Sequence, residues 1–312
     1  MKLQQLRYLR EVIRQGLSIS NAAAVLHTSQ PGISKQISLL EAELGTGIFV
    51  RNRNRLIEVT PAGKAVLAIA ERMLDDAENL KRVGRDYGED REGSLTVLTT
   101  HTQARHTLPQ VVKRFVTRYP KVKLSLRQGT PSQIWQSVAA GEADIAIASE
   151  PQDPMPGLVL LKCYDLPRIV LTRPRHPLLK LKRLTLQALA GYPLITYDDE
   201  FIGHSKVQRA FAAQGLAPNL VLNAIDTDVI KAYVELDLGV AIVAKMAFDP
   251  KRDRNLRAIA AAHLFESNTV YLGVRRNSYL RRYALDFIEM LVPQLDRKAV
   301  QSAIESAAKT AS

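Results

Sequence analysis

Apolar residues near the start of the chain recur at helical spacing. Leu3, Leu6, Leu9 and Ile13, widened by Val12, predict an amphipathic helix that Gly16 ends. In SISNAAAVLH, Ser18 or Ser20 can cap a second helix, and Ala22, Ala23 and Leu26 give it a small-residue face for close packing. A third helix starts at Ser29, a good N-cap, with Pro31 in the first turn where its missing N–H is not needed. Ile33, Ile37, Leu40 and Leu44 share one stripe of that helix, and Gly45 stops it. IFVRNRNRLIEVT then changes period and reads as strand, turn, strand. Thr60-Pro61 starts a long helix running to about Tyr87. Its seam of Val66, Ile69, Met73, Asp76, Leu80, Val83 and Tyr87 steps by three and four with one polar break.

Beyond the polar stretch EDREG at 89–93 the pattern alternates strands and helices. SLTVLTT, VKLSLRQG and ADIAIASE are strands separated by helices, an order that implies a parallel sheet with helices on its faces. A second run from RIVLTRP to VAIVA predicts another α/β lobe. TVYLGVRR and SYLRRYALDFIEMLV return to the first lobe. Two such lobes place a ligand in the cleft at the ends of their strands. QLDRKAVQSAIESAAKTAS reads as a weak helix that frays, without a functional reading.

The polar positions left over by this pattern carry the chemistry. Thr28, Ser29, Gln30, Pro31, Ser34 and Lys35 surround the exposed start of the third helix. In a helix-turn-helix that end enters the major groove, where Gln suits an adenine edge, Lys a guanine edge and hydroxyls a base or phosphate. The alternative for this segment alone is a capped surface helix. Arg51, Arg53 and Arg55 alternate through the following hairpin, and period-two spacing places them on one side, as in a wing that grips phosphate. Residues 1–65 hold nine Lys or Arg against four Glu. The long helix needs a partner for its seam and predicts a dimerisation helix that also links the domains; the alternative is packing on its own core.

In the second part, Thr99-Thr100-His101-Thr102-Gln103 follows a strand and leads into a helix. Its hydroxyls, amide and backbone N–H groups suit a small anion held without a full counter-charge. Ser149 ends a buried strand facing the same cleft, Thr196 and Tyr197 end another, and Asp226-Thr227-Asp228 caps a helix. His101 and His106 have no second cluster at metal-ligand spacing, and no nucleophile elbow, P-loop or zinc-protease motif occurs, so no enzyme, metal or cofactor is predicted.

Net charge +12 over 312 residues, with a pI of about 9.8, favours an anionic partner. The single cysteine, Cys163, excludes an internal disulfide and fits a reducing compartment. No segment reads as a signal peptide or membrane span, so a cytoplasmic protein that avoids membranes is expected. Two further classes stay open: a binding protein or enzyme using the first domain only to oligomerise, and a structural DNA-binding protein without an effector.

AAAVLHTSQPGISKQISLLEAELG followed by IFVRNRNRLIEVTPAGK resembles the LysR-type transcriptional regulators, and the resemblance runs through essentially the whole chain. TTHTQARHTLP, QGTPSQI, ADIAIASE, PLITYDD and DTDVIKAYVELDLGV are similar to the CysB branch, which controls sulfur assimilation. The resemblance implies an α/β protein with an all-α-plus-wing N-terminal domain: a winged helix-turn-helix over 1–60, a linker helix over 61–88 and a two-lobed effector domain over 93–312. That effector domain resembles periplasmic binding proteins, with lobe I at about 93–163 and 268–292 and lobe II at about 164–267. It implies promoter DNA and RNA polymerase as partners, and a homodimer through the linker helix doubled into a homotetramer. The implied effectors are N-acetylserine, O-acetylserine, sulfate or thiosulfate, with the anion on Thr100, Thr102, Gln103 and Ser149. Ser149 stands where Thr is common, Leu166 where a polar-edged aromatic is usual, and Ile202 where some relatives carry a hydroxyl. Asp198 and Asp199 add negative charge close by. Leu166 and Ile202 remove potential donors and point to a different ligand, with a regulator of alkanesulfonate or other organosulfur use as the variant. A LysR-type regulator of an unrelated pathway is the alternative.

Overall fold

The computed structural model describes residues 1–52, 55–87, 92–199 and 201–309. It divides into two compact units, Met1–Glu89 with Asn277–Tyr279, and Asp90–Arg276 with Leu280–Ser312.

In the first unit, α1 (Leu3–Arg14), α2 (Ile19–Val25) and α3 (Gln30–Leu44) precede the hairpin β1 (Phe49–Asn52) and β2 (Arg55–Val59), and α4 (Pro61–Tyr87) follows. Ser18 caps α2 and Ser29 caps α3, each accepting from the backbone N–H three residues on. Leu6, Leu9, Val12, Ile33, Ile37 and Leu40 close the core. Two positions of the predicted stripes fall outside it. Leu3 is exposed, and so is Leu44, at 40%, because α3 turns away at Gly45, whose φ of 65° is left-handed. On α4 the residues packed into this core are Ala70 and Leu74, with Val66, Leu67 and Met73 partly covered. Ile69 and Leu80 of the predicted seam face outward, Leu80 at 74% exposure.

In the second unit, β3 (Gly93–Thr99), α5 (His101–His106), α6 (Leu108–Arg118), β4 (Val122–Gln128), α7 (Pro131–Ala139), β5 (Ile145–Ser149) and β6 (Leu158–Leu166) begin lobe I. Lobe II holds β7 (Arg168–Thr172), α8 (Leu186–Ala190), β8 (Leu194–Tyr197), α9 (Ile202–Ala212), β9 (Leu220–Ala224), α10 (Thr227–Glu235), β10 (Val240–Ala244) and β11 (Arg257–Ala260). The chain then returns to lobe I with β12 (Asn268–Arg275), α11 (Arg282–Leu291) and α12 (Arg297–Lys309).

The sheet orders are β4-β3-β5-β12-β6 and β11-β7-β10-β8-β9. Both are mixed rather than parallel: β12 runs antiparallel to β5 and β6, and β7 antiparallel to β10 and β11. The first crossing between lobes falls at Pro167, later than the pattern predicts, because β6 keeps pairing with β12 until Leu166 stands opposite Asn268. The second crossing ends at Asn268, so the two connections run side by side. RHTLPQVVKRF does not form one continuous helix but breaks at Thr107, since Pro109 lacks the N–H that a continuous helix needs. The tail does not fray through its described part. Val300 is fully buried, and Ile304 and Ala307 pack on the lobe I core, so α12 covers edge strand β6.

Candidate functional site

On the first unit, Thr28, Ser29, Gln30, Pro31 and Lys35 are exposed and Ser34 is half-buried. Gln30, Pro31 and Ser34 share an open groove with the Gly16–Ser20 turn and with Arg55 and Leu56 of β2. Arg53 lies outside the described residues. Arg51 and Arg55 do not share a side. The register sets Asn52 opposite Arg55 and Arg51 opposite Leu56, so Arg51 faces away from Arg55. Period two holds within a strand but does not carry across the turn. Arg51 instead pairs with Glu41 of α3 at 2.9 Å, and the other oxygen of that carboxylate accepts the backbone N–H groups of Ile48 and Phe49. Arg51 therefore fastens the hairpin to α3, and Arg55 borders the groove.

On the second unit a small cavity of about 40 Å³ lies between the lobes. Lobe I contributes Thr100, Thr102, Gln103, Ser149, Leu166 and Asn268. Lobe II contributes Arg168, Tyr197, Phe201 and Ala244. Local structure positions each group. Thr100 is the N-cap of α5, but its hydroxyl makes no capping bond and is left for the cavity. The Trp135 indole N–H donates to the Ser149 carbonyl at 3.1 Å, fixing the end of β5. Gln103 Oε1 accepts from Thr107 Oγ1 at 2.7 Å and from the Tyr164 hydroxyl at 2.6 Å. Burial pushes the Tyr164 phenol up to about 12, so it keeps its proton. Across the lobes Thr102 Oγ1 meets Thr227 Oγ1 at 3.1 Å, and Thr227 Oγ1 meets the Tyr197 hydroxyl at 2.9 Å.

The residue missed in the sequence is Arg168. It opens β7, is 3% exposed, and its Nε has no hydrogen-bond partner. Its Nη2 donates to Asn268 Oδ1 at 3.4 Å, and among the described residues no carboxylate lies within ion-pair distance. Burial pulls the guanidinium below its ordinary range, opposed by the nearby Tyr197 and Glu150. Gly203 makes the space, since a Cβ there would sit 2.2 Å from Arg168 Nη2. An uncompensated buried charge costs several kcal/mol, against about 1 kcal/mol for a hydrogen bond. The cation therefore dominates the electrostatics of the cavity lining. The hydroxyl-rich turn therefore shares the cavity with a charged group that the sequence reading did not include: α5 has six residues, and Arg168 faces it from lobe II. A charged residue opening an otherwise apolar strand, RIVLT, was the available signal.

Several expected positions lie elsewhere. Ile202 does not line the cavity; its neighbour Phe201 does, and Leu166 lines it as expected. Asp198 and Asp199 are not among its lining residues. Thr99 and Thr196 donate to the carbonyls of Ile147 and Ile242 inside the sheets. His101 Nε2 lies 3.2 Å from Asp226 and 3.8 Å from Asp228, a grouping that spacing along the chain did not reveal. Arg105 at 2.7 Å and Lys231 at 3.5 Å already pair with Asp228, which makes the cluster an ion-pair bridge between lobes. Nearby, His106 is lowered from the ordinary histidine value chiefly by burial.

Residues 3–64 match the bacterial regulatory helix-turn-helix proteins of the lysR family, and residues 88–296 match the LysR substrate binding domain. The chain belongs to the LysR family. It is a transcriptional regulator with a DNA-binding domain and an effector-binding domain, not an enzyme. This LysR regulator is 48% identical to the HTH-type transcriptional regulator SsuR of Burkholderia cenocepacia, over 98% of this chain and 100% of that one. It is 47% identical to CysB of the same organism over 99% of each. The cofactor-binding domain of the Cbl transcriptional regulator superposes with a TM-score of 0.65 at 41% identity, covering 69% of this chain and 94% of that one. No helix among the described residues is long and apolar enough to cross a membrane.

Proposed function

We propose that this regulator controls genes of sulfur metabolism in the cytoplasm, binding promoter DNA as an oligomer and sensing a small oxyanion in the interlobe cavity. The observation that carries the effector reading is Arg168, a buried guanidinium without a carboxylate partner, facing hydroxyl and amide groups. The likeness to SsuR, CysB and Cbl supports the sulfur pathway. Sulfate or thiosulfate suits the size of the cavity; N-acetylserine or O-acetylserine is larger and needs the lobes further apart. Outward Ile69 and Leu80 on α4 support a dimer through the linker helix, the unit from which a tetramer is built. RNA polymerase is the further partner this role requires. On DNA, Gln30 and Ser34 read bases while Thr28, Lys35 and Arg55 hold phosphate.

The test is calorimetric titration of the full chain with sulfate, thiosulfate, N-acetylserine and O-acetylserine, beside anisotropy on a sulfur-operon promoter and a scrambled duplex. Saturable binding of an oxyanion is expected, reduced at least about a hundredfold in Arg168→Met, with promoter affinity shifted by the same ligand. Promoter preference indifferent to all four compounds would instead favour a regulator of an unrelated pathway.

A further inference from the structure

The cavity contains two primary amides, Gln103 and Asn268. An amide offers a donor at one end and an acceptor at the other, so its orientation decides what it asks of a ligand. In both residues the acceptor end is engaged by protein. Gln103 Oε1 takes the Tyr164 and Thr107 hydroxyls, and Asn268 Oδ1 takes Arg168 Nη2. Neither amide nitrogen has a partner among the described residues, and both residues line the cavity. Gln103 is 2% exposed, so water does not compete at its carbonyl end. Tyr164 is a phenol whose proton must go to an acceptor. The Thr107 oxygen at 3.4 Å is a poor alternative to Gln103 Oε1 at 2.6 Å.

We infer that Tyr164 and Thr107 are positioning residues that hold the Gln103 amide nitrogen toward the cavity, making it selective for a fully deprotonated oxyanion over one that keeps a proton. The inference rests on the oxyanion reading of the cavity and goes beyond it to the protonation state of the ligand. Sulfate at neutral pH carries acceptors alone. Phosphate of nearly the same size retains at least one O–H, which must find an acceptor. With Gln103 turned donor-inward, that proton finds no acceptor at this amide and must compete for the lone pairs of the lining hydroxyls. An unsatisfied buried group of this kind is worth about tenfold in affinity. Neither Tyr164 nor Thr107 lines the cavity, so they act through Gln103.

The experiment titrates the full-length chain with sulfate and with phosphate at neutral pH. It compares the wild type, Tyr164→Phe, Thr107→Val and the double variant, with thermal melts to confirm folding. The wild type should prefer sulfate by about tenfold or more. Each single variant should narrow that ratio, and the double variant should narrow it most, because the amide can then present its oxygen to phosphate. A ratio unchanged in all folded variants, or equal losses for both anions, would overturn the selectivity assignment while leaving the anion site intact. Failure of the wild type to bind either anion would overturn the anion site and the selectivity together. Gln103→Leu is the control that removes the amide without disturbing the sheets: sulfate affinity should fall, and adding Tyr164→Phe to it should change the ratio no further. An added change would show that Tyr164 acts by another route.

Discussion

Gly203 shows how much one missing methyl group decides. Arg168 reaches the cavity only because the second residue of α9 has no Cβ, and the same space admits the Asn268 amide, whose nitrogen would lie 2.8 Å from that Cβ. Gly203→Ala must push the guanidinium aside, which costs about 1–3 kcal/mol as overpacking and moves the charge on which the proposed oxyanion site rests. The expected result is a lower melting temperature together with loss of sulfate binding on titration. A folded variant with unchanged affinity would mean that Arg168 does not contact the ligand. Nothing local in the sequence marks Gly203 as the floor of a charged site. Arg168 was harder still: the groups that leave it unpaired come from positions near 100, 150 and 268, and no local spacing reports that they converge. Thr100, Thr102, Gln103 and Ser149 were legible because hydroxyls and amides at strand ends and helix starts are a local pattern. Ile202 was not, because the extended residue before α9, Phe201, lines the cavity while Ile202 begins the helix.

At the level of elements, periodicity carried the helices of the first unit well and the hairpin less well. Ile33, Ile37 and Leu40 are buried on α3 as their spacing predicts. The arginines of the hairpin separate because strand pairing, not spacing, assigns faces. Different outcomes follow for the two described ones. Arg55→Ala should weaken binding to all duplexes alike and reduce the slope of log affinity against log salt by about 0.9. Arg51→Ala should leave that slope unchanged and lower stability by less than about 1 kcal/mol, since its pair with Glu41 is partly exposed. Anisotropy across a salt series, with denaturant melts of the same proteins, separates them. In the second unit, β6 and β11 escaped the pattern. β6 carries Lys162 and Asp165 within its alternation, and β11 has four residues. The sheets are mixed because each strand that enters a lobe from a crossing runs against its neighbours: β12 against β5 and β6, and β7 against β10 and β11.

At the level of the second unit as a whole, the lobes are tied at places with different chemistry. Beside the cavity the tie is the Thr102–Thr227 contact; at its rim it is the His101 and Arg105 pairs with Asp226 and Asp228. Behind it, Lys206 of α9 meets Glu150 at 2.6 Å and donates to the Ser267 carbonyl at 2.9 Å. Lys206 is buried, so Lys206→Met strands the Glu150 carboxylate and should destabilise by about 3 kcal/mol; the double variant with Glu150→Gln should recover part of the loss in urea unfolding. An acid arm exists as well. Because burial holds His106 below its ordinary value, the unfolded chain binds more protons there. Stability should therefore fall as pH drops through about 6.5, and His106→Gln should flatten the decline. The paired crossings at Pro167 and Asn268 bear on all of these ties. Two connectors lying side by side leave the lobes little freedom except to swing about the line they define. A change in the spacing of the lobes around an occupant is then expected to reduce to a single angle, whatever the occupant's chemistry. Mutation can then change the compound that is sensed without changing the signal.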